Sequence, residues 1–374
     1  MFALLCVACA VAFGDALSAP RAPAAAPAAA PKAWQRRLLD SFIESDIYRA
    51  WIVPRARATM RKTAEENDVQ WGAALDWIAS AGPWDAPTKV AVPDYYDRPF
   101  HAYDKGNMCF EAAWEQEIAS KAVGARNYPA FGAGGEDAFR GAFDDALDEL
   151  GAAVPDGGVV VDLGCGTGVS TRRLASRYPG AGAVRGVELS PYMVAVADRL
   201  FDLANEGRVG ADWVNTIVSD SRVDFVQASM EDYLAAHLAE ADVIVLSLVV
   251  HELPPAAACA VVEACLHASK PGAQLWIYDM DFDTPGFTNL RANPMLFSLI
   301  RSTEPWLDDY ADYGVARLAE DVRGAGYGNV RLRAATGRHF ALVATAGNGA
   351  GVDDKRLETR LPDTHLQTWQ ASEK

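Results

Sequence analysis

A glycine-rich turn directly after an apolar strand is the feature of this sequence with the clearest chemical meaning. The segment Val159–Gly168 (VVVDLGCGTG) runs from β-branched residues through an acid to three glycines at a spacing of two. Glycine lets a backbone pass close beneath a ligand, because a Cβ would collide with it. In an open α/β sheet such a turn lies at the carboxyl edge, where ligands bind. The dinucleotide fingerprint requires glycine at position 169, which is valine here, so the pattern favours a ligand with an amino-acid ammonium over a pyrophosphate.

A second acid follows the next predicted strand at a distance that suits a nucleoside. The segment Gly186–Pro191 (GVELSP) places Glu188 at a strand end, 24 residues after Gly164. A carboxylate at this tip is placed to accept both hydroxyls of a ribose. Ser190 and Pro191 are typical of a helix start, as a cap and a first-turn proline. We expect Glu188 to contact a ribose; the alternative is a solvated glutamate at a strand end.

The two motifs together resemble a known enzyme family. Asp162–Gly168 (DLGCGTG) and Glu188–Ser190 (ELS) resemble the first two motifs of the class I S-adenosylmethionine-dependent methyltransferases. A wider resemblance, to a plant and algal chloroplast group of these enzymes, covers roughly residues 94–346 and includes Pro99–Asn107, Glu115–Asn127 and Arg301–Asp308. It implies S-adenosylmethionine as methyl donor, a doubly wound, Rossmann-like and mostly parallel sheet, and an acceptor that is unassigned.

The resemblance also implies which residues hold the cofactor. The glycine turn with Asp162 would hold the methionine end, Glu188 the ribose, and the end of the fourth strand the methyl-transfer zone. The acid that usually contacts adenine is replaced here by Ala228 or Ser229, so we expect Ser229 to accept a hydrogen bond and Met230 to cover the ring. The expected cofactor set is Asp162, Gly164, Cys165, Gly166, Gly168, Glu188, Leu189, Ser229, Met230 and Ser247. No metal site is expected.

Candidates for the acceptor side come from three separate segments. Methyl transfer discharges a sulfonium, so the protein chiefly orients and desolvates the partners. A base is needed only for an acceptor hydroxyl or amine that is still protonated. His251, after the fourth strand, is the candidate base, and the alternative is that it shapes the turn before a proline. His101 and Tyr103, in an aromatic segment, and Glu304, in a later insertion, are further candidates, each with a structural alternative.

Alternating strand and helix patterns predict the scaffold that positions these residues. Predicted strands are Val159–Leu163, Val184–Leu189, Val223–Gln227, Asp242–Val249, Gln274–Asp279, Val330–Ala335 and Phe340–Ala344. Predicted helices of this part are Val169–Arg177, Tyr192–Asn205, Ala256–Ala268 and Val315–Ala325. Such alternation indicates βαβ units and a doubly wound α/β sheet. Before it, helical patterns and the glycine-rich link Phe131–Gly135 predict an N-terminal helical extension or lid over residues 34–135, a catalytic domain over 136–346 and a flexible tail over 347–374.

Composition limits the partners. The chain has 374 residues and a net charge of −16, which argues against nucleic acid, since that binding depends on basic surfaces. The apolar run Phe2–Ala12 is too short to span a bilayer and is typical of a signal-peptide core. With the Ala/Pro-rich stretch after it, residues 1–33 resemble the two-part plastid leader of algae. We therefore expect a plastid location and no stable membrane insertion of the mature chain; a plain secretory signal is the alternative.

Three functional hypotheses follow from these observations. The first is a methyltransferase that uses S-adenosylmethionine on a small-molecule acceptor, with the acceptor atom and the oligomeric state left open. The second is a regulatory protein that binds the same cofactor without turnover. The third is a nicotinamide-dependent oxidoreductase, against which the acid at 162 and the missing glycine at 169 argue.

Overall fold

The computed structural model describes residues 60–85, 87, 90–101, 103–207, 220–291 and 303–347, with single positions at 45, 54, 57, 58 and 297. The expected leader, residues 1–33, and the expected tail beyond residue 347 lie outside this part. Within it, no helix combines the length and the apolar character that a membrane span requires.

Among the described residues, seven strands form one sheet in the order β3-β2-β1-β4-β5-β7-β6. They are β1 Val159–Leu163, β2 Ala183–Glu188, β3 Val223–Gln227, β4 Ala241–Ser247, β5 Ser269–Met280, β6 Tyr327–Thr336 and β7 His339–Ala346. The pairs β1–β2, β1–β4, β2–β3 and β4–β5 are parallel, and β7 runs antiparallel between β5 and β6. The chain order reverses between β1 and β4, so the carboxyl ends of these strands border a crevice.

Helices cover both faces of the sheet. The helices named below are α1 Trp71–Ser80, α2 Phe110–Asn127, α3 Gly135–Glu149, α4 Val169–Arg177, α5 Pro191–Asn205, α6 Met230–Ala236, α7 Pro255–Ala268, α8 Pro285–Arg291 and α9 Leu307–Ala325. Short 3-10 turns occupy Pro129–Gly134 and Val250–Glu252. The side chains of Ser190 and Ser229 cap α5 and α6 by accepting from Met193 N (3.3 Å) and Asp232 N (3.0 Å). Each cap begins a helix directly beyond the carboxyl end of a strand.

The valine run of β1 is explained by burial on both faces. Successive side chains of a strand point to opposite faces, and Val160 joins the apolar cluster that contains Ile118 of α2 and Phe143 of α3. Val161 joins the cluster on the other face, with Val262 of α7 and Leu318 of α9. The N-terminal extension therefore shares an apolar core with the sheet. The division at residue 135 stays a prediction, and at that point the chain turns tightly through Pro129–Gly134 from α2 into α3.

The segment of residues 93–109 between α1 and α2, here named the strap, crosses the carboxyl edge of the sheet. Hydrogen bonds to several segments fasten it. Two reach residues 303–306 before α9: His101 N donates to Thr303 O (2.8 Å) and Trp306 Nε1 to Tyr95 O (3.0 Å). Two more join Tyr95 Oη to Glu231 Oε1 (2.8 Å) and Ser190 Oγ to Asn107 O (2.7 Å). The strap thus forms a roof over the crevice.

The predicted fold class is confirmed. The helices α3, α6 and α8 were not predicted, and other differences lie at element ends. The predicted fourth strand extended to Val249, but β4 ends at Ser247 because Leu248 has left-handed backbone geometry (φ 56°). The helix expected from Val315 begins at Leu307 and passes a break at Gly314 (φ 72°, ψ 159°). The strand expected from Gln274 begins at Ser269, where its pairing with β4 shifts register.

Candidate active site

The glycine turn after β1 presents bare backbone to the crevice. Gly164, Gly166 and Gly168 have φ of 70°, 57° and 86°, a region that residues with a Cβ seldom adopt. A Cβ on Gly164 would lie 2.6 Å from Val249 Cγ2. One on Gly166 would overlap the side-chain amide of Gln116. These positions accept only glycine, as expected of a turn that a ligand approaches closely.

Asp162 ties this turn to the helix that follows it. It is fully buried, and its Oδ2 accepts hydrogen bonds from Ser170 Oγ and Thr171 Oγ1, both at 2.7 Å. Burial raises the pKa of Asp162 to about 6, although the two hydroxyl groups oppose the shift. Its Oδ1 has no hydrogen-bond partner in the part of the chain that the structure describes. One acceptor atom therefore remains beside the turn.

Glu188, at the end of β2, faces the same turn. Its Oε2 accepts from Gly166 N (2.9 Å) and its Oε1 from Ser190 N (2.7 Å). Burial raises the pKa of this carboxyl to about 7. Each carboxylate oxygen keeps further acceptor capacity, so Glu188 is able to accept hydrogen bonds from a ligand as well.

These groups border a cleft whose other walls come from distant parts of the chain. The lining residues are Tyr95, Tyr96, Asn107 and Gln116 from the strap and α2; Gly164, Gly166, Glu188, Leu189 and Met193; Ser229, Met230 and Glu231; and Val249, Glu252 and Leu253. Its free volume is about 50 Å³, whereas small-molecule pockets usually have ~300–1,000 Å³. The cleft is closed by its roof.

A smaller cavity of about 40 Å³ lies next to the cleft and shares Gln116 and Gly164 with it. It is also lined by Cys165, Ser247 and Arg140. The Gln116 side chain lines both spaces and accepts a hydrogen bond from Thr167 N through its Oε1.

Two histidines lie near the crevice, and the Nδ1 atom of each has a different partner. His251 Nδ1 lies 2.7 Å from Asp279 Oδ1, and the His251 backbone N donates to Asp279 Oδ2 (3.1 Å). Burial alone would lower the pKa of His251, but the charge and hydrogen bond of Asp279 raise it to about 9. The other histidine, His101, has φ 52°, and its Nδ1 lies 2.9 Å from Asn107 Oδ1.

His101 Nε2 faces two glutamates. It lies 3.1 Å from Glu304 Oε1 and 3.5 Å from Glu252 Oε1. All three side chains are at most 3% exposed. No group of three or more His, Cys, Asp and Glu residues in the described ranges has the arrangement of a metal site.

The part of the sequence that forms this site is similar to a known protein family. Residues 160–272 match the model of a family described as a methyltransferase domain. The chain carries a class I methyltransferase domain. The match begins in β1, includes the glycine turn and Glu188, and ends in β5. S-adenosylmethionine is its methyl donor.

Curated relatives of this methyltransferase are O-methyltransferases. The chain is 27% identical over 198 residues to a ubiquinone biosynthesis O-methyltransferase of Aromatoleum aromaticum, which covers 52% of this chain and 74% of that protein. It is 27% identical over 211 residues to the acetylserotonin O-methyltransferase of Mus musculus, which covers 56% of this chain and 49% of that protein. An O-methyltransferase family protein of Burkholderia thailandensis superposes with a TM-score of 0.44 and 17% identity over 77% of this chain and 72% of that one.

The residues of the methyltransferase domain fit its cofactor. The glycine turn supplies a surface on which a side chain would collide, and Asp162 Oδ1 is a buried acceptor without a partner among the described residues. Glu188 lines the cleft beside them. An amino-acid ammonium and a pair of ribose hydroxyls are the donors that these acceptors suit.

The structure places the expected site residues of the methyltransferase in three groups. Gly164, Gly166, Glu188, Leu189, Ser229 and Met230 line the cleft. Cys165 and Ser247 line the adjoining cavity, while Asp162 and Gly168 support the turn, the latter as the N-cap of α4. The hydroxyl of Ser229 is already used to cap α6.

The acceptor-side candidates are not all brought together. His101, His251 and Glu304 lie near one another at the carboxyl ends of β4 and β5, as the electrostatic effect of Glu304 on the pKa of His251 shows. Tyr103 lies elsewhere: its hydroxyl donates to Glu115, which also pairs with Arg57 and Arg61. This network holds the strap to α2, as the structural alternative for Tyr103 requires, and a contact of Tyr103 with the acceptor stays a prediction.

Several lining residues of the methyltransferase cleft escaped the sequence analysis. Tyr96, Asn107, Gln116 and Glu252 line the cleft but carry no local signal. Asn107 and Gln116 lie inside the stretches that resemble the chloroplast group, and this resemblance was the only feature of the sequence that drew attention to them. Glu252 directly follows His251, and its position facing the cleft results from the 3-10 turn Val250–Glu252.

Proposed function

We propose that this chain is an O-methyltransferase that transfers the methyl group of S-adenosylmethionine to a hydroxyl of a small molecule. The observation that carries the proposal is the closed cleft in which the bare glycine turn faces Glu188, at the point where the sheet order reverses. The names of the curated relatives, ubiquinone biosynthesis O-methyltransferase and acetylserotonin O-methyltransferase, support oxygen as the acceptor atom.

In this proposal the chain's residues divide the cofactor between them. Asp162 and the glycine turn hold the methionine end, Glu188 and Leu189 the ribose, and Ser229 and Met230 the adenine. Closure of the strap excludes water from the cleft, which favours a displacement in which charge is neutralised. When bound, the cofactor supplies a methyl group on a positively charged sulfur that becomes a neutral thioether.

His251 is the proposed base for the acceptor hydroxyl, and Asp279 orients it. A hydrogen bond from Nδ1–H to Asp279 leaves Nε2 to accept a proton. The carboxylate also stabilises the imidazolium that forms. Because the pKa of His251 is raised to about 9, the basic form is half populated near pH 9, and its fraction increases with pH through that value.

Two assays test the proposal. We expect calorimetry to show binding of S-adenosylmethionine and none of a nicotinamide dinucleotide. With the trideuteriomethyl cofactor, mass spectrometry of a panel of phenols, catechols, hydroxyquinones and alcohols should reveal a labelled methyl ether. Glu240→Gln, on the surface, serves as the control and should leave both results unchanged.

Other outcomes would select the other hypotheses. Binding of the cofactor without a labelled product from any acceptor would favour a non-catalytic regulatory protein. A labelled N-methyl or C-methyl product would refute oxygen as the acceptor atom. A plastid location remains part of the proposal and rests on the sequence of residues 1–33 alone.

A further inference from the structure

A buried cluster of charged side chains lies against the roof of the cleft. It consists of His101, Glu252 and Glu304, which are 1%, 3% and 1% exposed, and is here named the roof cluster. The three residues come from the strap, the turn after β4 and the segment before α9. They meet because the strap backbone is hydrogen-bonded to Thr303.

The roof cluster contains two carboxyl groups and one imidazole. Burial raises the pKa of Glu252, and the charges of His101 and His251 oppose that shift. Neither glutamate forms an ion pair with a lysine or arginine in the described part of the chain, and Glu252 Oε1 and both carboxylate oxygens of Glu304 have no hydrogen-bond partner there. The neighbouring His251 and Asp279 pair with each other. Two buried carboxyl groups that share one imidazole lack a full counter-charge, which is costly when both are ionised, so the cluster suits a cationic ligand.

Glu252 carries this charge into the cleft. It lines the same space as Glu188, and its charge contributes to the raised pKa of Glu188. Tyr96 Oη accepts a hydrogen bond from Asn107 Nδ2 (2.5 Å). Burial raises the pKa of the Tyr96 hydroxyl, and the negative charges of Glu252, Glu188 and Glu304 raise it further. The cleft wall next to the expected ribose position is therefore negative on two sides.

We infer that Glu252, backed by Glu304 and His101, is a positioning residue that makes the cleft prefer the sulfonium cofactor over its thioether product. The inference rests on the proposed placement of the ribose at Glu188. S-adenosylmethionine and S-adenosylhomocysteine differ by one methyl group and one positive charge on sulfur. A carboxylate in a water-poor cleft attracts the charged form more strongly, and that attraction ends when the sulfur loses its charge.

Calorimetry with the two nucleosides at pH 8 tests this inference on the full chain. We expect Glu252→Gln to weaken the binding of S-adenosylmethionine about tenfold and to change that of S-adenosylhomocysteine by less than about twofold. Glu304→Gln, whose residue lies behind Glu252, should act in the same direction with a smaller effect. Circular dichroism and thermal melting show whether each variant is folded.

Matched glutamine substitutions separate this inference from the proposed function. Glu188→Gln should weaken the binding of both nucleosides well beyond twofold, since both contain the ribose, and Glu240→Gln should weaken the binding of neither. Equal losses of both nucleosides in Glu252→Gln, or no loss, would overturn the role of Glu252 while leaving the function intact. If the unsubstituted protein binds neither nucleoside, the proposed function fails and this inference with it.

Discussion

At the scale of single residues, burial assigns different tasks to the acids around the glycine turn. Asp162 is hydrogen-bonded to Ser170 and Thr171 and holds the turn against α4. Glu188 accepts backbone N–H groups from Gly166 and Ser190 and faces the cleft. Burial raises the pKa of both, so both gain from the hydrogen bonds or positive charge that a ligand supplies.

The titration of His251 gives a prediction for the proposed base. We expect its imidazole to lose a proton near pH 9, since the charge of Asp279 favours the protonated form. In Asp279→Asn that charge is absent and burial lowers the pKa, so the titration should move to clearly lower pH, although the charges of Glu252 and Glu304 still favour the protonated form. NMR of the protein with 13C-labelled histidine measures both, with His251→Gln to assign the signal.

The same titration affects stability with a definite sign. Because the folded-state pKa lies above the unfolded value, the His251–Asp279 pair contributes stability that is fully present below pH ~6.5 and is lost as pH rises through about 9. A His251 signal that titrates at the same pH in both proteins would contradict the assigned partner.

Individual site residues could be predicted from the sequence where the function requires a fixed local pattern of residue types. The turn Gly164–Gly168 could be predicted because bare backbone requires glycine at fixed spacing. The contact of His101 with Glu304 could not be predicted from spacing, because the partners are far apart in sequence and meet only after the strap has crossed the sheet edge. Glu252 was missed for a similar reason, since nothing in the sequence shows which side of the turn it faces.

At the scale of elements, α2 is clamped to the glycine turn. Glu117 Oε1 accepts from Thr167 Oγ1 (2.8 Å) and pairs with Arg172 of α4 (2.7 Å). Gln116, the preceding residue, contacts Thr167 N and occupies the space in front of Gly166. The N-terminal helix thus completes the turn that the sequence assigned to β1 and α4 alone.

A side chain on Gly166 should disrupt this arrangement. We expect Gly166→Ala to weaken the binding of S-adenosylmethionine at least 100-fold, because φ is 57° and the new Cβ would collide with Gln116 or with the cofactor in its place. Gly157→Ala is the matched control: its φ is 72°, and a Cβ there has nothing within 4 Å. It should lose about 1 kcal/mol of stability and keep its affinity.

Thermal unfolding of the two alanine variants measures the stability lost to backbone strain, and calorimetry measures the affinity lost when a side chain fills the binding space. Similar affinities in Gly166→Ala and Gly157→Ala would contradict a ligand site at the turn.

Element bounds were predictable where hydrophobic patterns are continuous. Val159–Leu163 has the predicted bounds because an uninterrupted β-branched run suits a strand that is buried on both faces. β5 was predicted too short because Pro271 and Gly272 are typical of turns, yet they lie within the strand, where its pairing with β4 shifts register. The roof over the cleft was expected only as a lid, since hydrogen bonds such as Trp306 Nε1 to Tyr95 O depend on tertiary packing.

At the scale of the whole molecule, the closed cleft requires motion of the strap. A free volume of about 50 Å³ is small for a nucleoside. The strap is held by separate hydrogen bonds, among them Tyr95 to Glu231, and not by a β-ladder. Segments outside the sheet open with lower free energy than the sheet, so we expect the strap to open when the cofactor enters.

Hydrogen exchange should detect this opening. We expect amides of residues 93–109 to exchange faster than those of β1 and β4 in the free protein, and to slow at least tenfold when S-adenosylhomocysteine is bound. The amides of β1 and β4 serve as the internal control and should change little. Strap amides that exchange as slowly as those of β4 without ligand would show that the cofactor enters by another route.

The contacts between the strap and residues 303–306 also determine when the cleft can form during synthesis. Trp306 lies 211 residues after Tyr95 in the chain, so the aromatic strap leaves the ribosome long before its partners exist. The last strand, β7, then inserts between β5 and β6. Such long-range pairing is slow to form, and the nascent strap lacks its contacts with residues 303–306 until most of the chain has been made, whereas its partners Ser190 and Glu231 are made earlier. A ribosome-bound chain that ends before residue 303 would therefore contain the glycine turn without its roof, and cofactor binding would arise only with the final stretch of translation.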